Sequence, residues 1–184
     1  MKNSPDQVIL ERAKRFEAQA LEEIYDSFSQ GIYRYAFRLL GDEELARECM
    51  AETFSRFLTA LRRDSGPDNY LQAYLYRIAH NWVTDHYRSK IPPTLPLEHD
   101  LPANPAEEPH QVVAVEMANQ QLRAALALLT PDQRQVIVLK YLEDWENDDI
   151  ARALNKPVGA VKALQHRGLE GLRRIITRHE DFNI

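Results

Sequence analysis

Asp148-Asp149-Ile150-Ala151-Arg152-Ala153-Leu154-Asn155-Lys156-Pro157-Val158-Gly159-Ala160-Val161-Lys162-Ala163-Leu164-Gln165-His166-Arg167 holds two short helices and the turn between them in one legible stretch. Two helices packed at a steep angle share a very small core, so their inner positions must be apolar and at least one must be small. Ile150, Ala151 and Leu154 fit the inner face of the first helix. Val158, Val161 and Leu164 fit that of the second, with Val161 opposite Ala151. Asn155 falls where the chain reverses, and Asn tolerates the left-handed backbone region. Pro157 presets the entry to the second helix, near a position where its missing N–H costs nothing. This is the pattern of a DNA-reading helix-turn-helix.

Charge supports that reading once it is localised. The chain of 184 residues has a formal net charge of −5, which taken whole argues against nucleic acid. From Ile150 to Arg178, however, Arg152, Lys156, Lys162, Arg167, Arg173, Arg174 and Arg178 are opposed only by Glu170. Glu143, Asp144, Glu146, Asp148 and Asp149 lie just before, so the average hides a local basic footprint.

Upstream, Ile91 to Pro109 contains six prolines, four carboxylates and no Gly, Lys or Arg. Such a segment is extended and semi-stiff, and it is longer than most loops within a domain. A linker of this length permits both compact and splayed arrangements of what it joins.

Before it the pattern is helical throughout. Phe16, Leu21, Ile24, Tyr25 and Phe28 suit one amphipathic face, and Ile32, Tyr35, Ala36, Leu39 and Leu40 another. Gly41 ends that helix and Asp42 caps the next, which runs to about Leu61. After a loop from Arg62, Asp68 or Asn69 is expected to cap a long helix reaching about Arg88. Beyond the linker, Val115, Ala118, Leu122, Ala125, Leu126 and Leu129 keep a helical period. Thr130-Pro131-Asp132-Gln133 is a capping box that starts a helix continuing through Leu142. No strand-like alternation and no repeat is present in the sequence.

Two surfaces remain after the cores are assigned. Beside the buried stripe Leu71, Leu75, Ile78, Ala79, Trp82 and Val83 runs a second one: Tyr70, Arg77, Asn81, Thr84 and Arg88, with Tyr76, His80 and Tyr87 next to it. Rings stack on unpaired bases, an amide reads a base edge and Arg holds phosphate, so the stripe suits single-stranded nucleic acid. About half of these tyrosines are expected to be partly buried packing residues. Glu44, Glu48 and Glu52 form an i, i+4 row, which fits either a solvated acidic face or a docking surface for a basic helix.

Catalysis has little support. There is no Gly-rich phosphate loop, no metalloprotease motif and no cysteine–histidine pair, and the single Cys49 excludes an internal disulfide or cysteine-cluster metal site. The chain is expected to be a cytoplasmic protein with no metal or cofactor. No apolar run is long enough to span a bilayer, and the N-terminus leads into no signal core.

In this order, these pieces resemble the extracytoplasmic-function (ECF) branch of the bacterial sigma factors. The resemblance rests on Ile32-Tyr33-Arg34-Tyr35-Ala36, Glu52-Thr53-Phe54 and Tyr74-Leu75-Tyr76-Arg77-Ile78-Ala79-His80-Asn81. It continues in Leu129-Thr130-Pro131-Asp132-Gln133-Arg134-Gln135-Val136, Ile150-Ala151 and Pro157-Val158-Gly159-Ala160-Val161-Lys162. It implies an all-α protein of two small helical domains, 1–90 and 112–184, joined by an extended Pro-rich acidic linker over 91–111. The first would be region 2, which binds core polymerase and melts the −10 element. The second would be region 4, the helix-turn-helix that reads the −35 element.

The resemblance further implies that Glu44, Glu48 and Glu52 face the clamp helices of the polymerase β′ subunit. Asn81 would receive a flipped base, with Arg63, Tyr70, Tyr76, Arg77, His80 and Arg88 around it. The linker would thread toward the RNA path. Core polymerase (including the β flap), promoter DNA and an anti-sigma factor are the implied partners. Many members carry Ser-Arg after the recognition-helix lysine, where this chain has Ala163-Leu164. Contacts to −35 DNA are therefore placed on Arg152, Lys156, Lys162, Gln165, His166 and Arg167. A stand-alone dimeric helix-turn-helix regulator, binding a palindrome, is the competing reading.

Overall fold

The computed structural model describes residues 5–90 and 120–180, with side chains described from 6–89 and 120–175. The expected linker, together with Val115 and Ala118, lies outside the described residues. Four helices precede it: α1 (Pro5–Lys14), α2 (Ala18–Leu40), α3 (Glu43–Arg62) and α4 (Leu71–Lys90). After it come α5 (120–127), α6 (Pro131–Ile137), α7 (Asn147–Leu154) and α8 (Val158–Glu180). Among the described residues every regular element is helical, as the sequence pattern predicts.

Local chemistry explains the boundaries. Gly41 adopts φ +69° and its N–H closes on the Phe37 carbonyl, ending α2. Asp42 then accepts a hydrogen bond from the Leu45 N–H and opens α3. At α6 the Thr130–Gln133 capping box forms in both directions, with Pro131 at the first helical position.

Three expectations are corrected. Neither Asp68 nor Asn69 caps α4: the Asp68 carboxylate is ion-paired to Lys14, and the first helical carbonyl acceptor is Tyr70, at φ +50°. Phe16 does not join the inward face of α2, because it turns the chain between α1 and α2 at φ +57°. It stays 39% exposed, under the Arg62 guanidinium, and Tyr25 on α2 is likewise exposed. The helix from Thr130 also does not run on as a regular α-helix: Val138–Leu142 is wound as a π-helix, with the Glu143 N–H bonded to the Val138 carbonyl.

The two apolar faces read on either side of Gln30 belong to one helix of 23 residues, α2. Gly31 sits in its middle because a Cβ there would lie 2.7 Å from the Tyr76 hydroxyl. The bundle α1–α4 closes over Leu10, Ile24, Ile32, Tyr35, Phe57, Leu71 and Leu75, each at most 1% exposed. Burial of a side chain of this size contributes about 1.5–3 kcal/mol. In the C-terminal half, Val136, Val138, Leu139, Ile150 and Val161 are fully buried. Gly168 lets α8 approach α6, since a Cβ there would lie 2.8 Å from Ile137 Cγ1.

The two halves are not separate bodies. Their buried residues form one continuous cluster, with α4 packed on α7 and α2 on the π-helical turn. Of the two arrangements the linker permits, the chain adopts the compact one.

Candidate nucleic-acid and polymerase interfaces

In the helix-turn-helix, α7 ends at Asn155, which takes the left-handed conformation at φ +53°. The Lys156 N–H then bonds back to the Ala151 carbonyl. Ile150, Ala151, Val161 and Leu164 are buried where α7 packs on α8, while Leu154 and Val158 are half-buried. Leu164, at the departure from the family pattern, serves this core. On α8, Lys162, His166 and Arg167 are exposed, and His166 lies 3.5 Å from the Glu170 carboxylate. Gln165 is half-buried and its amide donates to Asn147 Oδ1 at 2.6 Å, tying the recognition helix to the start of α7. Arg152 pairs with Asp149 at 2.8 Å, and Lys156 with Asp132 at 2.9 Å.

On α4 the candidate residues divide into two groups. Asn81 and Arg88 are exposed, as is Arg63 at the end of α3. Arg77 is half-buried, its guanidinium 5.3 Å from the Tyr74 ring centre. Tyr70 is 52% exposed, yet the Arg152 guanidinium covers its ring at 4.4 Å. Tyr76 is only 3% exposed, between Tyr35 at 5.4 Å and Trp145 at 4.6 Å, and burial pushes its phenol pKa up. His80 is half-buried in a crevice shared with Thr84, Tyr87, Pro131, Arg134 and Gln135. Burial, assisted by Lys156, pushes its imidazole down to about 4 against the opposing pull of Asp132 and Asp85.

The acidic row projects from α3 on the side away from its buried Cys49 and Thr53. Glu44 and Glu48 are exposed, and Glu52 is half-buried beside Arg56 at 2.7 Å. Arg47 pairs with Glu43 at 2.6 Å rather than with the row itself. Burial pushes the Cys49 thiol up to about 12, which suits packing and not nucleophilic chemistry. Among the described residues no cluster of His, Cys, Asp or Glu is placed to hold a metal ion, and no helix is long and apolar enough to cross a membrane.

The sequence reading missed the groups that join the halves: Arg38, Arg134, Gln135, Glu143 and Trp145. Arg38 pairs with Glu143 and also donates to the Leu142 carbonyl. Arg134 donates to the carbonyls of Leu126, Ala127 and Leu129 and stacks 4.2 Å from the centre of the Tyr87 ring. Trp145 carried a usable signal. An aromatic residue flanked by Glu143, Asp144 and Glu146, outside any helical period, needs an apolar partner elsewhere.

A four-helix unit followed by a helix-turn-helix unit is the architecture of a DNA-binding protein of transcription. Residues 24–90 match the family Sigma-70 region 2, and residues 119–172 match Sigma-70, region 4. The chain is 32% identical over 178 residues to the ECF RNA polymerase sigma factor SigW of Bacillus subtilis, covering 90% of this chain and 93% of that protein. It is 31% identical over 170 residues to the ECF RNA polymerase sigma factor BldN of Streptomyces coelicolor, covering 91% of this chain but only 64% of that longer protein. In fold it is similar to CnrH, solved in complex with the cytosolic domain of CnrY. That likeness has a TM-score of 0.73 at 20% identity, over 95% of this chain and 99% of that one. The chain belongs to the sigma-70 family, in its ECF branch. Its role is that of a sigma subunit, and the dimeric stand-alone regulator is not favoured.

Proposed function

We propose that this chain directs bacterial RNA polymerase to its promoters through three residue sets, working in the cytoplasm and adding no bond chemistry of its own. Residues 1–90 act as the −10 and polymerase-binding domain, 91–111 as the acidic linker and 112–184 as the −35 domain. Arg152, Lys156, Lys162, Gln165, His166 and Arg167 contact −35 duplex. Arg63, Tyr70, Tyr76, Arg77, His80, Asn81 and Arg88 hold the melted −10 strand. Glu44, Glu48 and Glu52 dock on the β′ clamp helices, and the C-terminal domain meets the β flap. An anti-sigma factor is a further partner, in keeping with a similar fold, RpoE of Bartonella quintana, solved in complex with the anti-sigma factor NepR. Melting then needs no fuel, because binding of unpaired bases shifts the duplex-to-open equilibrium.

The observation that carries this reading is the pairing in one chain of an intact helix-turn-helix with an α4 helix on which Asn81 and Arg88 stand exposed. Run-off transcription with purified core polymerase on genomic fragments tests it. Initiation at discrete sites that share two upstream elements is expected. Failure to direct initiation anywhere, with footprinting of a palindrome as a dimer, would overturn it.

A further inference from the structure

The segment that joins α3 to α4, residues 63–70, carries Arg63 and Tyr70 of the proposed −10 set at its two ends. It has little backbone support of its own. The Ser65 N–H bonds back to the Ala60 carbonyl, and the Tyr70 carbonyl accepts from the Tyr74 N–H. Between them, residues 66–69 enter no backbone–backbone hydrogen bond among the described residues. Asp64 and Tyr70 also stand in the left-handed region, at φ +51° and +50°. Residues other than glycine adopt that region rarely and keep it where their surroundings hold them.

The hold on this loop comes from α1. Leu10 and Ala13 seat α1 in the bundle core, and Arg12 ties its end to Glu17 and Glu23 at 3.0 and 3.5 Å. From that footing the Lys14 ammonium donates to the Asp68 carboxylate in the loop, and the Phe16 ring lies under the Arg62 guanidinium at the end of α3. The Lys14 pKa is raised, first by its hydrogen bond to Asp68; burial opposes, and the negative charges of Asp68, Asp64 and Glu11 add to the rise. One cation is thus drawn to carboxylates on both limbs of the loop. An exposed ion pair adds little to global stability. In a loop with so few other restraints it acts instead on local opening. Lys14 and Phe16 both precede residues 24–90, the part that matches Sigma-70 region 2.

We propose that α1 is a brace for this loop: Lys14, through Asp68, holds residues 63–70 in the shape that presents Arg63 and Tyr70 to the unpaired −10 strand. Lys14 is therefore a positioning residue and not a DNA contact. Its effect on melting rests on the −10 role proposed above, whereas the brace itself does not. A loop that spends less time in the competent shape binds its strand more weakly in proportion.

The experiment uses the full chain with Lys14→Glu, Lys14→Arg and the exchanged pair Lys14→Glu/Asp68→Lys. Trypsin cleavage after Arg62 and Arg63, followed by mass spectrometry, reads loop opening without DNA. Permanganate reactivity of unpaired thymines, with core polymerase at a promoter found by run-off transcription, reads melting. Lys14→Glu should be cut roughly two- to fivefold faster in the loop, with cutting elsewhere unchanged, and should lower thymine reactivity by a similar factor. Lys14→Arg and the exchanged pair should return to wild-type values in both measurements, and the −35 footprint should stay the same throughout. Loop cleavage unaffected by Lys14→Glu overturns the brace. Faster cleavage with unchanged melting overturns the positioning role. Melting lost in Lys14→Glu and not recovered in the exchanged pair marks Lys14 as a direct contact and overturns that role too. Faster cleavage with no initiation by any of the proteins overturns the −10 role, and with it the effect on melting, while the brace stands.

Discussion

The Tyr76 and Trp145 rings meet with centroids 4.6 Å apart and planes inclined at 56°, and each residue is less than a tenth exposed. Tyr35 extends the contact to a third ring. Tilted aromatic pairs contribute about 0.5–1.5 kcal/mol beyond their buried area. Trp145 reaches this position because the π-helical turn redirects the chain, with its own N–H bonded to the Leu139 carbonyl at 3.0 Å. Trp145→Ala should therefore lower stability to denaturant by about 3–5 kcal/mol, and Trp145→Phe by markedly less. A Trp145→Ala chain that unfolds at the wild-type midpoint would show that the seam contributes nothing to the folded state.

What was legible in the sequence was local. Gly41, Asp42, Thr130 and Asn155 each act on backbone groups within a few residues, so their identity and spacing announce what they do. The helix-turn-helix core was equally accessible, since Ala151 opposite Val161 is a statement about size. The seam was not. Tyr76 and His80 carry polar atoms and stood on a polar stripe, so they read as ligands for bases. Their burial depends on residues some 50 to 70 positions away, across a segment whose path no local rule fixes. Tyr70 misled in another way: a φ of +50° at a tyrosine is uncommon, and the acidic residues before it were the better candidates for a cap.

The seam should respond to acid. His80 titrates near 4 when closed, against an ordinary value of 6.5, so closing expels its proton. Its contribution to the closed form is fully present above pH 6.5 and is lost as pH falls toward 4. At pH 5.5 the closed-to-open ratio should be about tenfold lower than at 7.5, or roughly 1.4 kcal/mol. Asp132, Asp85 and Lys156 face the ring. Glu143, whose pKa burial raises against the pull of Arg38, takes up a proton on closing and acts in the opposite sense toward the acid end. Scattering between pH 7.5 and 5.5 checks the effect, and His80→Gln should flatten it. A wild-type profile without slope would exclude it.

Asn81 offers a separation of duplex binding from melting. Its side chain is exposed and outside the −35 set, so Asn81→Ala should leave folding and duplex binding intact. Loss of a base-edge contact in the melted strand should cost on the order of 1–3 kcal/mol of open complex. Permanganate reactivity of unpaired thymines at a promoter found by run-off transcription reads this directly. Unchanged reactivity would remove Asn81 from the flipped-base role.

Arg134 should prove indispensable for a reason unrelated to DNA. The last carbonyls of a helix lack partners within it. The Arg134 guanidinium takes up Leu126 and Ala127 at 2.7 and 2.8 Å, with Leu129 of the following turn at 3.1 Å. Its other face rests on Tyr87 of α4, so one residue caps α5 and touches the opposite half. At 5% exposure little water can replace it. Arg134→Met keeps the length and loses all three donors, which should cost about 3 kcal/mol, given 1–3 for each buried group left unpaired and partial relief by relaxation. Arg134→Lys keeps a charge but not the planar fork, so it should recover only part of that loss. Urea denaturation of the three proteins gives the order. A Met variant as stable as the wild type would mean that α5 ends on other partners.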